Sequence, residues 1–173
     1  MNITGGKYNR LNIEAPDAKI VRPTLSKVRM AVFNTLFSMI EFEGKSFLDM
    51  YAGSGIIGLE ALSRGFSDVV AIEKNPKVAE ILKKNYKTVG ESPKLYVGDS
   101  SKTLEKLNRH FDVIYIDPPY FADIYEKSLN SIKSADIVIL EHVGKVDTQG
   151  WDIIKQKTYG DKTITFLEKH TTN

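Results

Sequence analysis

Short apolar runs recur along the chain, and acidic residues, glycines or prolines bound most of them. Such runs are typical of strands buried in a parallel sheet, while longer segments with helical periodicity separate them. The pattern predicts buried strands at 69–72, 95–97, 111–116 and 137–140, and a short one beginning at residue 47. It predicts helices at about 55–64 and 76–86, a third starting near Ser100, and a fourth with Val28, Val32, Leu36 and Ile40 on one stripe. Strands at 151–159 and 163–168 would close the sheet as an antiparallel pair, which makes the chain a doubly wound α/β protein.

The residues Asp117, Pro118, Pro119 and Tyr120 directly follow the predicted strand 111–116. They therefore lie at the carboxyl end of a strand, where open α/β sheets bind ligands. The two prolines lack N–H groups, so this stretch offers carbonyl acceptors and few donors. A carboxylate, a row of acceptors and an aromatic face favour a flat ring with an amino group, such as a nucleobase. The alternative is a proline turn that only ends the strand, with Tyr120 on the surface.

A glycine loop follows the first strand. Gly53, Gly55 and Gly58 fit the dinucleotide-binding pattern G-x-G-x-x-G, and Glu73 lies twenty positions after Gly53. Asp49 argues against a bound pyrophosphate, because it stands at the mouth of the loop, where a phosphate needs donors. A carboxylate there suits the ammonium of a methionine moiety beside a sulfonium, which favours S-adenosylmethionine (SAM). The alternative for Asp49 is a loop cap that accepts from backbone amides.

Further acidic residues follow the next two strands. Glu73 could accept both hydroxyls of a ribose, or it could be an exposed charge at a strand end. Asp99 could accept from an adenine amino group, or it could cap the helix that starts near Ser100. Asn75 and Pro76 are typical of the start of a helix. The residues predicted to bind the cofactor are Asp49, Tyr51, Ala52, Gly53, Ser54, Gly55, Glu73, Lys74, Asp99, Ser100 and Asp117.

These segments resemble class I SAM-dependent methyltransferases with a D-P-P-Y motif. The residues Ile3-Thr4-Gly5-Gly6-Lys7, Arg22-Pro23-Thr24, Val28-Arg29, Phe33-Asn34 and the stretch Gly-Leu-Glu-Ala-Leu-Ser-Arg-Gly at 58–65 are similar to the RsmD family. The likeness covers nearly the whole chain. Tyr51 departs from the phenylalanine that the family often has, and the stretch after Tyr120 does not align.

The resemblance implies a Rossmann-like fold: a seven-stranded, mostly parallel sheet with an antiparallel closing strand, helices on both faces and a short N-terminal β-hairpin and helix extension. It implies one domain over residues 1–173, with a basic arm at 1–24 and a catalytic core at 25–173. It also implies methyl transfer from SAM to guanine N2 in small-subunit (16S) ribosomal RNA, free or within an assembling 30S particle.

The catalytic residues expected from this resemblance are those of the motif. Asp117 and the Pro118 carbonyl would accept from the target amine, Pro119 would keep the motif rigid, and Tyr120 would stack on the base. Two other functions remain open: methylation of adenine N6 in DNA or of another amino group, and a non-catalytic RNA-binding module.

Composition narrows the function classes. A chain of 173 residues with 42% hydrophobic and 27% charged residues is typical of one soluble domain. The sequence has neither a membrane-length apolar run nor a signal-peptide pattern. Zero cysteines exclude disulfides and thiolate metal sites and fit a cytoplasmic protein. The spacing of His110, His142 and His170 does not match that of metal ligands, so we expect structural or surface histidines and no metal site. We also expect a monomer.

Positive charge concentrates near the amino terminus. The net charge is +2, yet residues 1–39 carry six basic and two acidic residues. A basic arm of this kind could bind RNA phosphates, or the lysines and arginines could simply belong to a solvated surface. The predicted RNA-binding residues are Lys7, Arg10, Arg22, Lys27 and Arg29. Residues 7–13 alternate enough to predict a strand, as one half of a hairpin.

Overall fold

The computed structural model describes residues 1–19, 24–120 and 123–171. The strands are β1 Ser46–Asp49, β2 Asp68–Glu73, β3 Lys94–Val97, β4 Phe111–Ile116, β5 Ala135–His142, β6 Trp151–Tyr159 and β7 Lys162–Lys169. The helices are α1 Ser26–Met39, α2 Ile56–Arg64, α3 Pro76–Thr88, α4 Ser100–Leu107 and α5 Ile124–Asn130. All seven strands form one sheet in the order β3-β2-β1-β4-β5-β7-β6. Strands β1 to β5 are parallel, whereas β7 runs antiparallel to both β5 and β6, as predicted.

The central strands are apolar on both faces because helices cover both faces of the sheet. In β4, Val113 and Tyr115 belong to one apolar cluster, while Ile114 and Ile116 belong to another. Successive side chains of a strand point to opposite faces, so each face of β4 packs into its own core. This double burial explains why the central strands are nearly continuous apolar runs.

Helix α1 packs as its pattern predicts, with Val28, Val32 and Leu36 buried. At the start of α3, the Asn75 side chain accepts from two backbone amides and Pro76 takes the first helical position. Among the helices of the described residues, none has both the length and the apolar content that a bilayer crossing needs.

The strand predicted at residues 7–13 is wrong. Residues 5–10 form turns, and one antiparallel bridge, between Asn2 and Asn12, is the part of the expected hairpin that forms. The reason is that the segment packs against the end of α2: the backbone amide of Lys7 donates to the Ser63 carbonyl, and that of Tyr8 to the Ser63 hydroxyl. These amides are therefore unavailable to a partner strand.

Candidate active site

An acidic residue stands at the carboxyl end of every parallel strand. Asp49, Glu73 and Glu141 lie within β1, β2 and β5, while Asp99 and Asp117 follow β3 and β4. Because parallel strands end at the same edge of the sheet, these carboxylates share one side of the molecule. A cleft of about 550 Å³ opens at this edge.

The cleft brings most of the predicted residues together. Its lining includes Tyr51, Gly53, Glu73, Lys74, Asp99, Ser100, Asp117, Pro118, Pro119 and Tyr120. Asp49, Ala52, Ser54 and Gly55 lie behind this surface, where all four are buried. The lining residues that the sequence did not predict are Ala18, Lys19, Ser101, Ile124, Lys127 and Lys162.

Glu73 organises the glycine loop. Its carboxylate accepts from the backbone amide of Gly53 at 2.8 Å and from that of Asn75 at 3.0 Å. Gly53 and Gly55 have φ values of 54° and 85°, a left-handed conformation that glycine adopts without strain. Glu73 is therefore more than an exposed charge at a strand end, since it joins the loop to the start of α3.

The third glycine serves packing. A Cβ atom on Gly58 would lie 2.5 Å from the Tyr86 hydroxyl oxygen and 3.2 Å from a methyl of Val69. Only glycine lets α2 approach β2 and α3 this closely. Gly58 thus fits the glycine pattern through helix packing and not through contact with a phosphate.

Asp49 lies under the loop with 2% of its surface exposed. The backbone amides of Gly58 and Tyr51 hydrogen bond to its carboxyl group, while its Oδ2 atom has no partner among the described residues. Burial, together with the charges of Asp117 and Glu73, raises the pKa of Asp49 to about 8. The amino end of α2 therefore faces a buried carboxyl group, which makes it a poor site for a pyrophosphate. The predicted loop cap is thus present, and contact with a ligand ammonium stays a prediction.

Asp99 caps α4. Its side chain accepts from the Lys102 amide at 3.0 Å, and this hydrogen bond lowers the pKa of Asp99. Asp99 also lines the cleft, so an adenine contact remains compatible with capping. Beside it, the Tyr51 hydroxyl lies 2.6 Å from the Ser128 hydroxyl, which fixes the Tyr51 ring.

The D-P-P-Y motif follows β4, the neighbour of β1 in the sheet, and lines the same cleft as the glycine loop. The Asp117 Oδ2 atom accepts from the Thr24 hydroxyl at 3.2 Å, and its Oδ1 atom is 3.9 Å from the Lys162 ammonium. Pro118 is buried, while the Tyr120 side chain is 52% exposed at the rim. An aromatic face thus flanks a carboxylate at the opening, as base binding requires.

Arg29 is a correction to the predicted RNA-binding residues. It is 1% exposed, and its guanidinium donates to the carbonyls of Thr24 and Asn2 and lies 3.6 Å from the Glu60 carboxylate. Burial lowers the pKa of Arg29, although Glu60 opposes this. A side chain enclosed in this way has no surface for RNA, and it instead joins α1 to the amino-terminal segment.

The other basic residues stay predictions. Lys7 lies at the surface, 3.2 Å from the Glu91 carboxylate, and Arg10 and Lys27 are exposed. Arg22 lies outside the described residues.

The histidines are structural or on the surface, as predicted. His142 is buried and hydrogen bonds through both ring nitrogens, while His110 and His170 are exposed. The Nε2 atom of His110 lies 3.3 Å from Asp136 and 4.0 Å from Asp112 at the opposite edge of the sheet. These three side chains could meet a metal ion. However, Asp112 already accepts from the Ser46 amide and hydroxyl.

Three residues around Asp117 were not predicted from the sequence as part of the site: Thr24, Glu141 and Lys162. Glu141 followed the same signal as Asp49 and Glu73, an acidic residue that ends an apolar run. Lys162 carried no such signal, because the antiparallel β7 brings it to the cleft from the far side of β5.

The strand order and the cleft define a class I methyltransferase fold. The solved structure of yhhF from Escherichia coli, described as a candidate methyltransferase, superposes with a TM-score of 0.87 at 24% identity, covering 99% of both chains. The Thermus thermophilus 16S rRNA N2 G1207 methyltransferase RsmC, solved with AdoMet and guanosine, gives a TM-score of 0.69 at 16% identity over 86% of this chain and 44% of that one.

The family follows from the sequence. The model of the family described as Conserved hypothetical protein 95 matches residues 1–168, and the chain belongs to this family, which confirms the resemblance to RsmD. Ribosomal RNA small subunit methyltransferase D of Buchnera aphidicola from Acyrthosiphon pisum is 32% identical over 90% of this chain and 84% of its own. Its namesake in Haemophilus influenzae is 29% identical over 92% of this chain and 89% of its own. The protein is therefore a methyltransferase.

Proposed function

We propose that this methyltransferase transfers a methyl group from SAM to the exocyclic N2 amine of a guanine in small-subunit ribosomal RNA. The observation that carries the proposal is the Asp117 carboxylate, which lines one cleft together with Gly53 of the glycine loop and the exposed ring of Tyr120. The names of the family members support RNA of the small subunit as substrate. A ribosomal substrate, free or within an assembling 30S particle, would place a monomeric enzyme in the cytoplasm.

The donor set of the cleft fits SAM better than a dinucleotide. Glu73 already takes the Gly53 amide, which a pyrophosphate would need, and Asp49 occupies the amino end of α2. The buried Asp49 Oδ2 atom has no partner within the described residues, and a cationic ligand end beside it would favour the ionised form of this carboxyl group. Glu73 would accept from ribose hydroxyls, and Asp99 from the adenine amino group.

SAM, when bound, supplies a methyl group on a sulfonium, which departs as a neutral thioether. The protein must therefore orient the target amine and make its lone pair available. Asp117 and the Pro118 carbonyl would accept the two N–H groups of guanine N2, which pulls the nitrogen toward tetrahedral geometry and withdraws its lone pair from conjugation with the ring. As the new C–N bond forms, N2 becomes positive, and Asp117 is placed to take the proton that it loses. Tyr120 would stack on the base, which must leave its own stack to arrive there.

One experiment tests this function. We would offer SAM with a tritiated methyl group to undermethylated 16S ribosomal RNA, both free and in 30S particles, and to duplex DNA, and then analyse the nucleosides. The expected product is N2-methylguanosine from RNA, and an Asp117→Ala enzyme should form it roughly a hundredfold more slowly. Label in N6-methyladenine, or the lack of labelled nucleoside with the unaltered protein, would contradict the proposal.

A further inference from the structure

A buried polar network lies behind Asp117. Glu141, 1% exposed at the end of β5, contacts the Lys162 ammonium through its Oε1 atom and accepts from the Tyr115 hydroxyl through its Oε2 atom. The Thr24 hydroxyl lies 3.2 Å from Asp117 and 3.5 Å from Glu141, and the Lys162 ammonium is 3.9 Å from Asp117. Asp117 and Glu141 thus share one cation and one hydroxyl.

The charges around this network explain why a cation is needed. Among the described residues, the ionisable groups around Asp117 and Lys162 include Asp49 from β1, Tyr115 from β4, Tyr120 from the motif itself, Glu141 from β5 and Tyr125 from α5. Within the described residues, Lys162 is the cation of this set. Carboxylates crowded into a low dielectric favour protonation of at least one of them. The Lys162 ammonium, which contacts Glu141 and lies 3.9 Å from Asp117, offsets the repulsion between these two carboxylates.

We propose that Lys162 is a positioning residue that keeps the Asp117 carboxylate ionised and aimed into the cleft, with Glu141 holding Lys162 in place. The inference rests on the proposed function, because it assigns a role to Asp117 in binding the target amine. An ionised Asp117 accepts an N–H group of the target amine, whereas a protonated one could present a donor to it. Lys162 would act through Asp117 and would not touch the base.

The pKa of Lys162 agrees with this arrangement. Burial opposes its charged form, but the carboxylates of Asp117 and Glu141 outweigh burial and raise its pKa. Lys162 therefore keeps its proton between pH 5 and 9, so a change of rate in this range does not come from deprotonation of Lys162.

A competing role for Lys162 is direct contact with RNA. Lys162 also borders a second cavity of about 300 Å³, together with Lys27, Tyr159 and Asp161. A lysine that only contacted RNA would affect the KM for RNA and its salt dependence. A lysine that supports Asp117 would affect the rate of methyl transfer at saturating RNA, and its dependence on pH.

The test is the single-turnover rate from pH 5 to 9, with tritiated SAM and saturating undermethylated 30S particles. Lys162→Met should lose at least about tenfold at pH 7, and the acid limb of its profile should move up by about one pH unit, since removal of a nearby opposite charge raises a carboxyl pKa. Lys162→Arg should restore the wild-type limb. Lys155→Met, which removes a positive charge from the exposed strand β6, is the matched control and should behave as wild type.

Loss of folding is controlled by a second variant. Lys162→Met leaves Glu141 buried without its cation, whereas the double variant Glu141→Gln/Lys162→Met leaves no unpaired charge there. The double variant should melt near the wild-type temperature and show an acid limb between those of wild type and Lys162→Met, because Asp117 loses one attractive and one repulsive neighbour.

The outcomes separate the two proposals. A wild-type enzyme that does not label RNA overturns the proposed function, and this inference with it. Active wild type with an unmoved acid limb in folded Lys162→Met overturns the inference alone. A raised KM for RNA at an unchanged saturated rate does so as well, and assigns Lys162 to RNA contact.

Discussion

Gly58→Ala provides a sharp test of how the glycine loop is built. The added Cβ would lie 2.5 Å from the Tyr86 hydroxyl oxygen, and Tyr86 is 1% exposed, so its ring cannot move aside. Overpacking of this kind costs about 1–3 kcal/mol. Replacement of a helical glycine by alanine stabilises the helix by up to about 1 kcal/mol, which offsets part of this cost. We therefore expect Gly58→Ala to destabilise the protein by roughly 1 kcal/mol, and by at most about 2 kcal/mol once the full alanine gain is subtracted.

Tyr86→Phe supplies the second arm of a double-mutant cycle. The Tyr86 hydroxyl has no hydrogen-bond partner among the described residues, so its removal should be neutral or stabilising. Without the hydroxyl, the nearest ring atom lies 3.7 Å from the new Cβ, an ordinary contact, although Val69 at 3.2 Å still limits the space. Gly58→Ala should then be nearly silent in the Tyr86→Phe background, so the coupling energy should equal its cost in the wild type, roughly 1 kcal/mol.

Urea unfolding at one pH, followed by circular dichroism, measures all four proteins, provided that the m-value stays constant. SAM affinity of the double variant should remain at the wild-type level, because Gly58 serves packing. Effects that add within about 0.5 kcal/mol would show that the hydroxyl is not what excludes a side chain here. Lost SAM binding in a stable double variant would show that the glycine admits the ligand.

The remaining predictions concern three other residues and the stacking ring. Asp117→Ala should lower the single-turnover rate by roughly a hundredfold with SAM affinity retained; an undiminished rate would place the base elsewhere. Tyr120→Ala should lose about 1–3 kcal/mol of base stacking in an RNA-binding assay, and Tyr120→Phe almost nothing. Because the pKa of Asp49 rises from 3.8 to about 8 on folding, the folded state holds the extra proton, and stability should fall between these values by up to about 1.4 kcal/mol per pH unit. Asp49→Asn should flatten that slope in urea unfolding at pH 5 to 8, and equal slopes would refute the assignment. Arg29→Ala should cost about 1–3 kcal/mol of stability, because the carbonyls of Thr24 and Asn2 lose their donor while Glu60 keeps Arg64. The folded fraction should methylate RNA normally; weaker RNA binding in a fully stable variant would return Arg29 to the RNA-binding residues.

Local sequence determined the sheet and the position of the cleft. The strands at 69–72, 111–116 and 137–140 were visible because burial on both faces requires unbroken apolar runs. The end of each apolar run can also be read from neighbouring residues alone. Glu73 and the Asp117–Tyr120 motif could therefore be assigned to the ligand-binding edge of the sheet from the sequence. Helix caps are predictable from the sequence for the same reason, since Asn75 and Asp99 accept from backbone amides only two or three residues away.

The amino-terminal segment was decided by tertiary contacts. Residues 7–13 alternate like a strand, yet Ser63 in α2 takes two of their amides, so turns replace it. The burial of Arg29 was also decided by tertiary contacts, because its sequence neighbours do not show that it pairs with Glu60 on another helix.

Lys162 shows most clearly what the sequence pattern could not predict. Hydrophobic periodicity reports which positions are buried, but it does not report which distant charge a buried carboxylate meets. Asp117 receives its hydroxyl from Thr24, 93 positions earlier, and Glu141 receives its cation from a lysine 21 positions later, across an antiparallel strand. The sequence alone determined that a carboxylate stands at this edge of the sheet, while its charge partners depend on the order in which β5 and β7 pair, which only the folded chain decides.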